Sequence, residues 1–252
     1  MNGASRIRTW EVPAGTDAAN PAAPGSALSP DGTTLGYSGP EPRTGKPYRL
    51  VLQDTHAGRI RRSVVLDAPG GGPVAALAFS KDGRTLAASR NASEDHPDWS
   101  TDIIDTATGR VSRTLTDVGG SGAALGGSGD DLVLVTTSSD RVDLRTGRAT
   151  RNALRNTDLY TVTFSPDGKT LAVSDPTGIA LWNGDATQRL GRMPGRPVTP
   201  LRFSPDGHSL AGVEDSERLR LWDVPSRRPL GAALPGSGDT LHDVAFDDQG
   251  SP

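Results

Sequence analysis

A short turn pattern recurs six times along the 252-residue chain, and no other feature constrains its fold as strongly. The copies are Leu28-Ser-Pro-Asp-Gly32, Phe79-Ser-Lys-Asp-Gly83, Leu125-Gly-Gly-Ser-Gly129, Phe164-Ser-Pro-Asp-Gly168, Phe203-Ser-Pro-Asp-Gly207 and Phe246-Asp-Asp-Gln-Gly250, at intervals of 51, 46, 39, 39 and 43 residues. Self-similarity at such a period is the signature of a repeat architecture. Within the turn, Pro166 or Pro205 presets φ for the second position of a type I turn, and Gly accepts positive φ where the chain re-enters a strand. Upstream residues alternate, with Tyr160, Val162 and Phe164 on one side, as are Ala75, Leu77 and Phe79. That period of two is a strand. Downstream, Thr170-Leu-Ala-Val-Ser174, Thr85-Leu-Ala-Ala-Ser89 and Ser209-Leu-Ala-Gly-Val213 are short apolar runs suited to a strand covered on both faces. Each copy therefore reads as a hairpin.

A second pattern runs out of phase with the first. It is an apolar or amide residue followed by an acid or amide, often with Gly four positions on. The instances are Trp10-Glu11 with Gly15, Gln53-Asp54 with Gly58, Ile104-Asp105 with Gly109, Val142-Asp143 with Gly147, Trp182-Asn183 and Trp222-Asp223. A third strand ends there, and the turn leads into a fourth. Four short antiparallel strands cannot bury both faces alone; stacked radially, each sheet covers its neighbour.

The pairing of Leu221-Trp-Asp-Val224 and Leu181-Trp-Asn183 with the preceding Phe-Ser-Pro-Asp-Gly hairpins resembles the WD-repeat family of β-propellers, in a degenerate form of bacterial type. The likeness covers nearly the whole chain and is strongest over residues 158–250. The family's opening Gly-His pair is absent, since the corresponding loops read Pro69-Gly-Gly-Gly-Pro73, Gly119-Gly-Ser-Gly122 and Pro235-Gly-Ser-Gly238. The resemblance implies an all-β fold: a β-propeller of four-stranded antiparallel blades, about six, in one domain spanning 1–252. Five full blades are expected to begin near 26, 73, 121, 158 and 197. The sixth is expected to be split between 5–25 and 239–252, and incomplete because its second strand is missing. A piece of a seven- or eight-bladed protein is the rival expectation. The expected structural repeat positions are Trp10, Asp54, Asp105, Asp143, Trp182, Trp222 and Asp223 at the third strands, with Gly32, Gly83, Gly168 and Gly207 at the hairpins.

Composition bounds the function. A hydrophobic fraction of 34% suffices for a single core, and the 31 Gly and 20 Pro fall at regularly spaced turns. The formal net charge of −3 gives no electrostatic case for nucleic acid or an acidic membrane. With no cysteine, disulfides and thiolate metal sites are excluded. The opening residues carry no apolar signal segment and nowhere do 18 apolar residues run together, so a cytoplasmic location without membrane attachment is expected.

Chemistry-bearing motifs are scarce. Gly39-Pro-Glu-Pro-Arg-Thr-Gly45-Lys46 lacks the spacing of a phosphate-binding loop, and Asn91-Ala-Ser93 reads as a chance sequon. The insertion Glu94-Asp-His-Pro-Asp98 groups three carboxylates and an imidazole; as no second ligand cluster accompanies it, it reads as a solvated acidic loop rather than a Ca²⁺ site. Arginines cluster at 59, 61 and 62, at 141, 145, 148, 151 and 155, and at 189, 192 and 196, and read as solvated outer strands. No catalytic or metal-ligating residue and no cofactor is assigned. The expected function is a non-enzymatic protein–protein interaction scaffold, a docking or sensor module whose contacts lie in the longest inter-strand insertions. These offer Glu41, Arg43, Lys46 and Tyr48 in the first blade, and Glu94, Asp95, His96, Asp98 and the out-of-register Trp99 in the second. The family resemblance implies protein partners, among them a fused or separate signalling ATPase or kinase. The alternatives are a lactonase-type propeller hydrolase or lyase with an axial metal, and an accessory propeller of a cell-envelope complex.

Overall fold

The computed structural model describes residues 25–38, 48–66, 72–91, 98–127, 131–155 and 159–236, together with Leu241, Val244 and Phe246. The described residues contain strands and turns but no helix. Five antiparallel sheets follow one another along the chain, each a meander in which successive strands pair. Blade one comprises β1 (Ser26–Leu28), β2 (Thr34–Ser38), β3 (Tyr48–Asp54) and β4 (Ile60–Leu66); blade two comprises β5 (Val74–Phe79), β6 (Thr85–Arg90), β7 (Ser100–Asp105) and β8 (Arg110–Thr116). Blade three comprises β9 (Ala123–Gly126), β10 (Val133–Thr136), β11 (Arg141–Asp143) and β12 (Arg148–Thr150); blade four comprises β13 (Thr161–Phe164), β14 (Thr170–Asp175), β15 (Gly178–Asn183) and β16 (Arg189–Met193). Blade five holds β17 (Val198–Phe203), β18 (Ser209–Glu214) and β19 (Arg218–Asp223), with β20 (Arg228–Pro229) and β21 (Leu234–Pro235) both pairing with β19. The first strands touch in series, β1 to β5 to β9 to β13 to β17, so they form the inner wall around an axis. The split sixth blade and Trp10 lie outside the described residues, except for Leu241, Val244 and Phe246.

The same hydrogen bonds close four of the hairpins. Buried Ser29, Ser80, Ser165 and Ser204 each donate Oγ to the turn aspartate at 2.6–2.7 Å, and each Oγ accepts the amide of Thr34, Thr85, Thr170 or Ser209. The glycine amide closes the turn onto the serine carbonyl, and the glycines take φ of 68° to 75°. At the other turn, Asp54, Asp105, Asp143 and Asp223 accept amides two or three residues ahead, and Asn183 accepts those of Thr187 and Gln188. Gly58, Gly109 and Gly147 sit in the left-handed conformation four residues after the acid, which explains that spacing in the sequence.

Each described blade interface has its own apolar core. Leu50, Leu52 and Leu66 of blade one meet Leu77, Leu86 and Ile104 of blade two. Ile103 and Leu115 meet Leu125, Leu134 and Val142 across the next interface, and Val133 and Val135 meet Leu171, with Trp182 packed alongside, across the third. At the fourth, Ile179, Leu181 and Met193 meet Leu201, Leu210 and Trp222. Ile104, Val142, Trp182 and Trp222 lie opposite Leu86, Leu134, Leu171 and Leu210, so one register position supplies a core residue at every one of these interfaces. Trp222 is fully buried and donates its indole N–H to the Pro194 carbonyl at 2.9 Å, whereas Trp182 is half-buried.

Arginines bridge the blades on the outside. Arg62 of blade one donates to the Ala107 carbonyl in the turn of blade two, Arg113 of blade two to Leu144 of blade three, and Arg141 of blade three to Asp185 of blade four. Between blades four and five the direction reverses: Arg227, in the left-handed conformation at φ 59°, reaches back over Gly191 to the Leu190 carbonyl at 2.7 Å. Others are held in ion pairs, such as Arg61 with Asp54 at 2.5 Å and Arg196 with Asp215 at 2.9 Å. These side chains tie the blades together while staying at the surface. Their spacing could not show the inter-blade bridges, because the acceptors there are backbone carbonyls of the neighbouring repeat.

Candidate functional site

The meander gives the propeller two ends of different character. The Ser-x-Asp-Gly hairpins and the third-to-fourth-strand turns lie at one end. The second-to-third-strand loops and the links between blades lie at the other. The insertions that carry Glu41, Arg43 and Lys46, and Glu94, Asp95 and His96, are outside the described residues; the strand ends flanking them, Ser38 and Tyr48, Arg90 and Ser100, belong to the loop end. Tyr48 itself is the first residue of β3 and packs against the core between blades one and two. Asp98 is exposed and Trp99 half-buried.

Buried ion pairs stiffen the base of the loop end. Arg90, at the end of β6, meets Asp102 of β7 at 2.9 Å with both side chains fully buried, and Thr114 donates its hydroxyl to Asp102 at 2.6 Å. In blades four and five Asp175 holds Arg192, and Glu214 holds Arg220, each at 2.6 Å. Burial pushes the Asp175 carboxyl upward, but the Arg192 and Thr177 hydrogen bonds outweigh it and leave the pKa lowered. Asp140 goes the other way: burial raises it, against the opposing charge of Arg151.

Between these bases a groove of about 440 Å³ crosses blades two, three and four. Trp99 enters from the blade-two loop, Gly120 and Ser121 from the link to blade three, and Thr137 and Ser138 from the blade-three loop. Leu159 and Tyr160 come from the next link, with Pro176 from the blade-four loop. The glycine link is required by the packing: a Cβ on Gly119 would stand 2.7 Å from the Trp99 Cβ, and one on Gly122 would stand 2.8 Å from the Thr137 methyl. Tyr160 is 48% exposed. The alternation that groups Tyr160 with Val162 and Phe164 persists in the backbone, where its amide donates to Ser174. Tyr160 itself precedes β13, so its ring emerges at the loop end. Sequence reading found Trp99 by its lack of register. It missed Tyr160, Ser138 and Pro176, because their only signal is meeting across blades.

A second cavity, about 920 Å³, lies on the axis at the hairpin end. Its wall is largely apolar, with Leu28, Leu77, Phe79, Leu125, Val162 and Phe164, and Lys81 and Arg202 are its charged residues. Val244 also lines it, which places that residue on the axis beside the described inner strands. Among the described residues no group of three His, Asp or Glu is placed to hold a metal ion.

No protein-family model and no curated protein matches this sequence. The fold is similar to the crystal structure of the β-propeller domain of Myceliophteria thermophila Cps50 (Swd1), with a TM-score of 0.60 and 14% identity over 81% of this chain. The chain spans 65% of that domain's length. At that identity the likeness speaks for the fold: this is an all-β protein with a β-propeller architecture.

Proposed function

We propose that this propeller is a non-enzymatic docking module for other proteins and that its loop end is the working face. One observation carries the reading. The hairpin end repeats one set of hydrogen bonds in four of the five described blades, while the loop end differs from blade to blade and holds a groove floored by hydroxyls and flanked by Trp99 and Tyr160. Aromatic residues with polar tips on a rigid frame are the usual anchors of protein interfaces. The apolar axial wall supports the same reading over a metal hydrolase, because its described lining offers no carboxylate or imidazole to bind or polarise a substrate. The protein is proposed to act in the cytoplasm, with a signalling ATPase or kinase as the partner class to test first.

Proximity labelling in the native host, comparing the wild type with Tyr160→Ala and with a hairpin-end control, Lys81→Ala, tests this. The Tyr160 variant should lose its strongest labelled proteins and the control should keep them. Loss from the control alone would overturn the assignment of the working face.

A further inference from the structure

No charged side chain lines the groove between blades two, three and four. Around it, Asp117 and Asp140 share Arg151 at 3.7 and 3.4 Å, and Asp175 holds Arg192 at 2.6 Å. Asp98, beside Trp99, and Arg155, on the link that leads to Leu159, are both exposed, lie outside the lining and are opposite in sign. A charged occupant therefore finds neither a counter-ion in the lining nor a field of one sign around it. The polar side chains that do line the groove are donors. The Trp99 indole N–H and the hydroxyls of Tyr160 and Ser138 make no hydrogen bond among the described residues. The Ser121 and Thr137 hydroxyls stand 3.5 Å apart, and that of Thr137 already accepts the Gly122 amide. Hydroxyls can turn to accept, but the indole cannot, and the lining has no carboxylate or side-chain amide to receive a peptide N–H. An ordinary extended segment would bury amides opposite donors, and each amide left unmet weakens binding. Proline removes the amide and keeps the carbonyl, and a run of prolines has no internal hydrogen bonds, so its carbonyls stay free to accept. Proline rings also pack on aromatic faces, which Trp99 and the half-exposed Tyr160 supply.

We infer that the Trp99–Tyr160 groove takes an extended, proline-rich segment of a partner protein, its rings against the two aromatic side chains and its carbonyls accepting from the indole N–H and the hydroxyls. This rests on the reading of the loop end as a docking face. Both sides are preorganised. The segment is stiff before it binds, and the groove draws on three blades, with Gly119 packed too closely on Trp99 to admit a Cβ. With no charge in the lining, the contact owes nothing to electrostatic attraction and is insensitive to salt.

The test uses fluorescence anisotropy of a labelled decaproline peptide on the whole chain. Peptides of the same length alternating Gly with Ser, Arg or Glu serve as the flexible, cationic and anionic comparisons. Decaproline should bind at least about tenfold more tightly than each of the others, and equally at low and high salt. Tyr160→Ala should weaken it about fivefold or more. Tyr160→Phe and Trp99→Phe, which keep a ring and remove a donor, should each weaken it about threefold. Tyr160 is half-exposed, so its variants keep the test alive if a change at Trp99 disturbs the glycine link. Equal binding of decaproline and the Gly-Ser peptide, tighter binding of either charged peptide, or a decaproline affinity indifferent to Tyr160→Ala overturns the inference. If Tyr160→Ala strips labelled partners in the host but decaproline does not bind, the partner class is wrong while the docking face stands.

Discussion

The two ends of the propeller are built by opposite rules. At the hairpin end a buried serine, an aspartate and a left-handed glycine make the same closed turn in blades one, two, four and five. At the loop end the second strand finishes on Ser38, Arg90, Thr136, Asp175 and Glu214 in successive blades, and three of these anchor different ion pairs. Local hydrogen bonds define the first end, so it can be copied. Contacts between distant segments define the second, so each blade is free to differ. A fold that holds its geometry at one end can vary the other without losing register, which is where docking chemistry is best placed.

Several measurements would break or sharpen that contrast. Trp222→Ala should cost about 3–5 kcal/mol in denaturant unfolding, because it empties a fully buried aromatic site and leaves the Pro194 carbonyl without its donor. A cost below about 1 kcal/mol would mean that the blade interfaces do not carry the stability. Asp102→Ala should cost a similar 3–5 kcal/mol by leaving Arg90 buried without its counter-charge. Near-neutrality there would show the base of the loop end to be as tolerant as its rim.

The hairpin glycines allow a finer comparison. Gly168 and Gly207 share a φ near 75°, so valine at either position carries the strain of a β-branched residue in the left-handed region, about 1–2 kcal/mol. A Cβ at 168 also stands 3.0 Å from the Gly127 amide nitrogen, whereas at 207 the nearest atom is the Pro166 Cδ at 3.6 Å. Gly168→Val should therefore lower the melting temperature more than Gly207→Val. Equal shifts would place the whole cost in φ.

Acid should act first on the hairpin end. Serine hydroxyls and backbone amides hold the carboxyls of Asp31, Asp82, Asp167 and Asp206 below their ordinary value of 3.8. The Ala57 amide, with Arg61, takes Asp54 down to about 2. A depressed folded-state pKa means stability that is fully present above the unfolded value and is lost as pH falls through the folded one. The unfolding midpoint should hold from pH 7 to about 5 and decline between about 4 and 2. Asp140 has the opposite sign, since burial raises its pKa and its ionisation opposes folding as pH rises. Replacing all four hairpin aspartates by Asn should flatten the acid limb; an unchanged limb would locate the titrating groups elsewhere. The smallest effect is expected at the rim of the loop end. Tyr160→Ala should shift stability by less than about 0.5 kcal/mol, as an exposed side chain away from the cores. A larger loss would make Tyr160 part of the frame rather than of the docking surface.

The turns were legible because their chemistry is contained within five or six consecutive residues. Ser-Pro-Asp-Gly encodes its own hydrogen bonds, and the acid with glycine four residues on encodes the second turn. The tryptophan register was legible too, because equivalent positions in repeats meet equivalent neighbours. Position 182 nevertheless ended half-buried where 222 is fully enclosed, a difference set by the blade each packs against. The clustered arginines were read as solvated and most are exposed, but the bridges of Arg62 and Arg141 to the next blade were not legible, because a carbonyl acceptor carries no side-chain signal. Tyr160 was grouped with Val162 and Phe164 on one side of a strand, but the strand begins at Thr161, and alternation does not say where a strand begins.

Repeat period, strand order and turn chemistry were thus properties of the sequence alone, since each depends on short-range sterics and hydrogen bonding. The groove, the arginine bridges and the buried Arg90–Asp102 pair required the tertiary structure. They join residues from neighbouring strands and blades, and only the stacking of the sheets brings Trp99, Thr137 and Tyr160 to one surface.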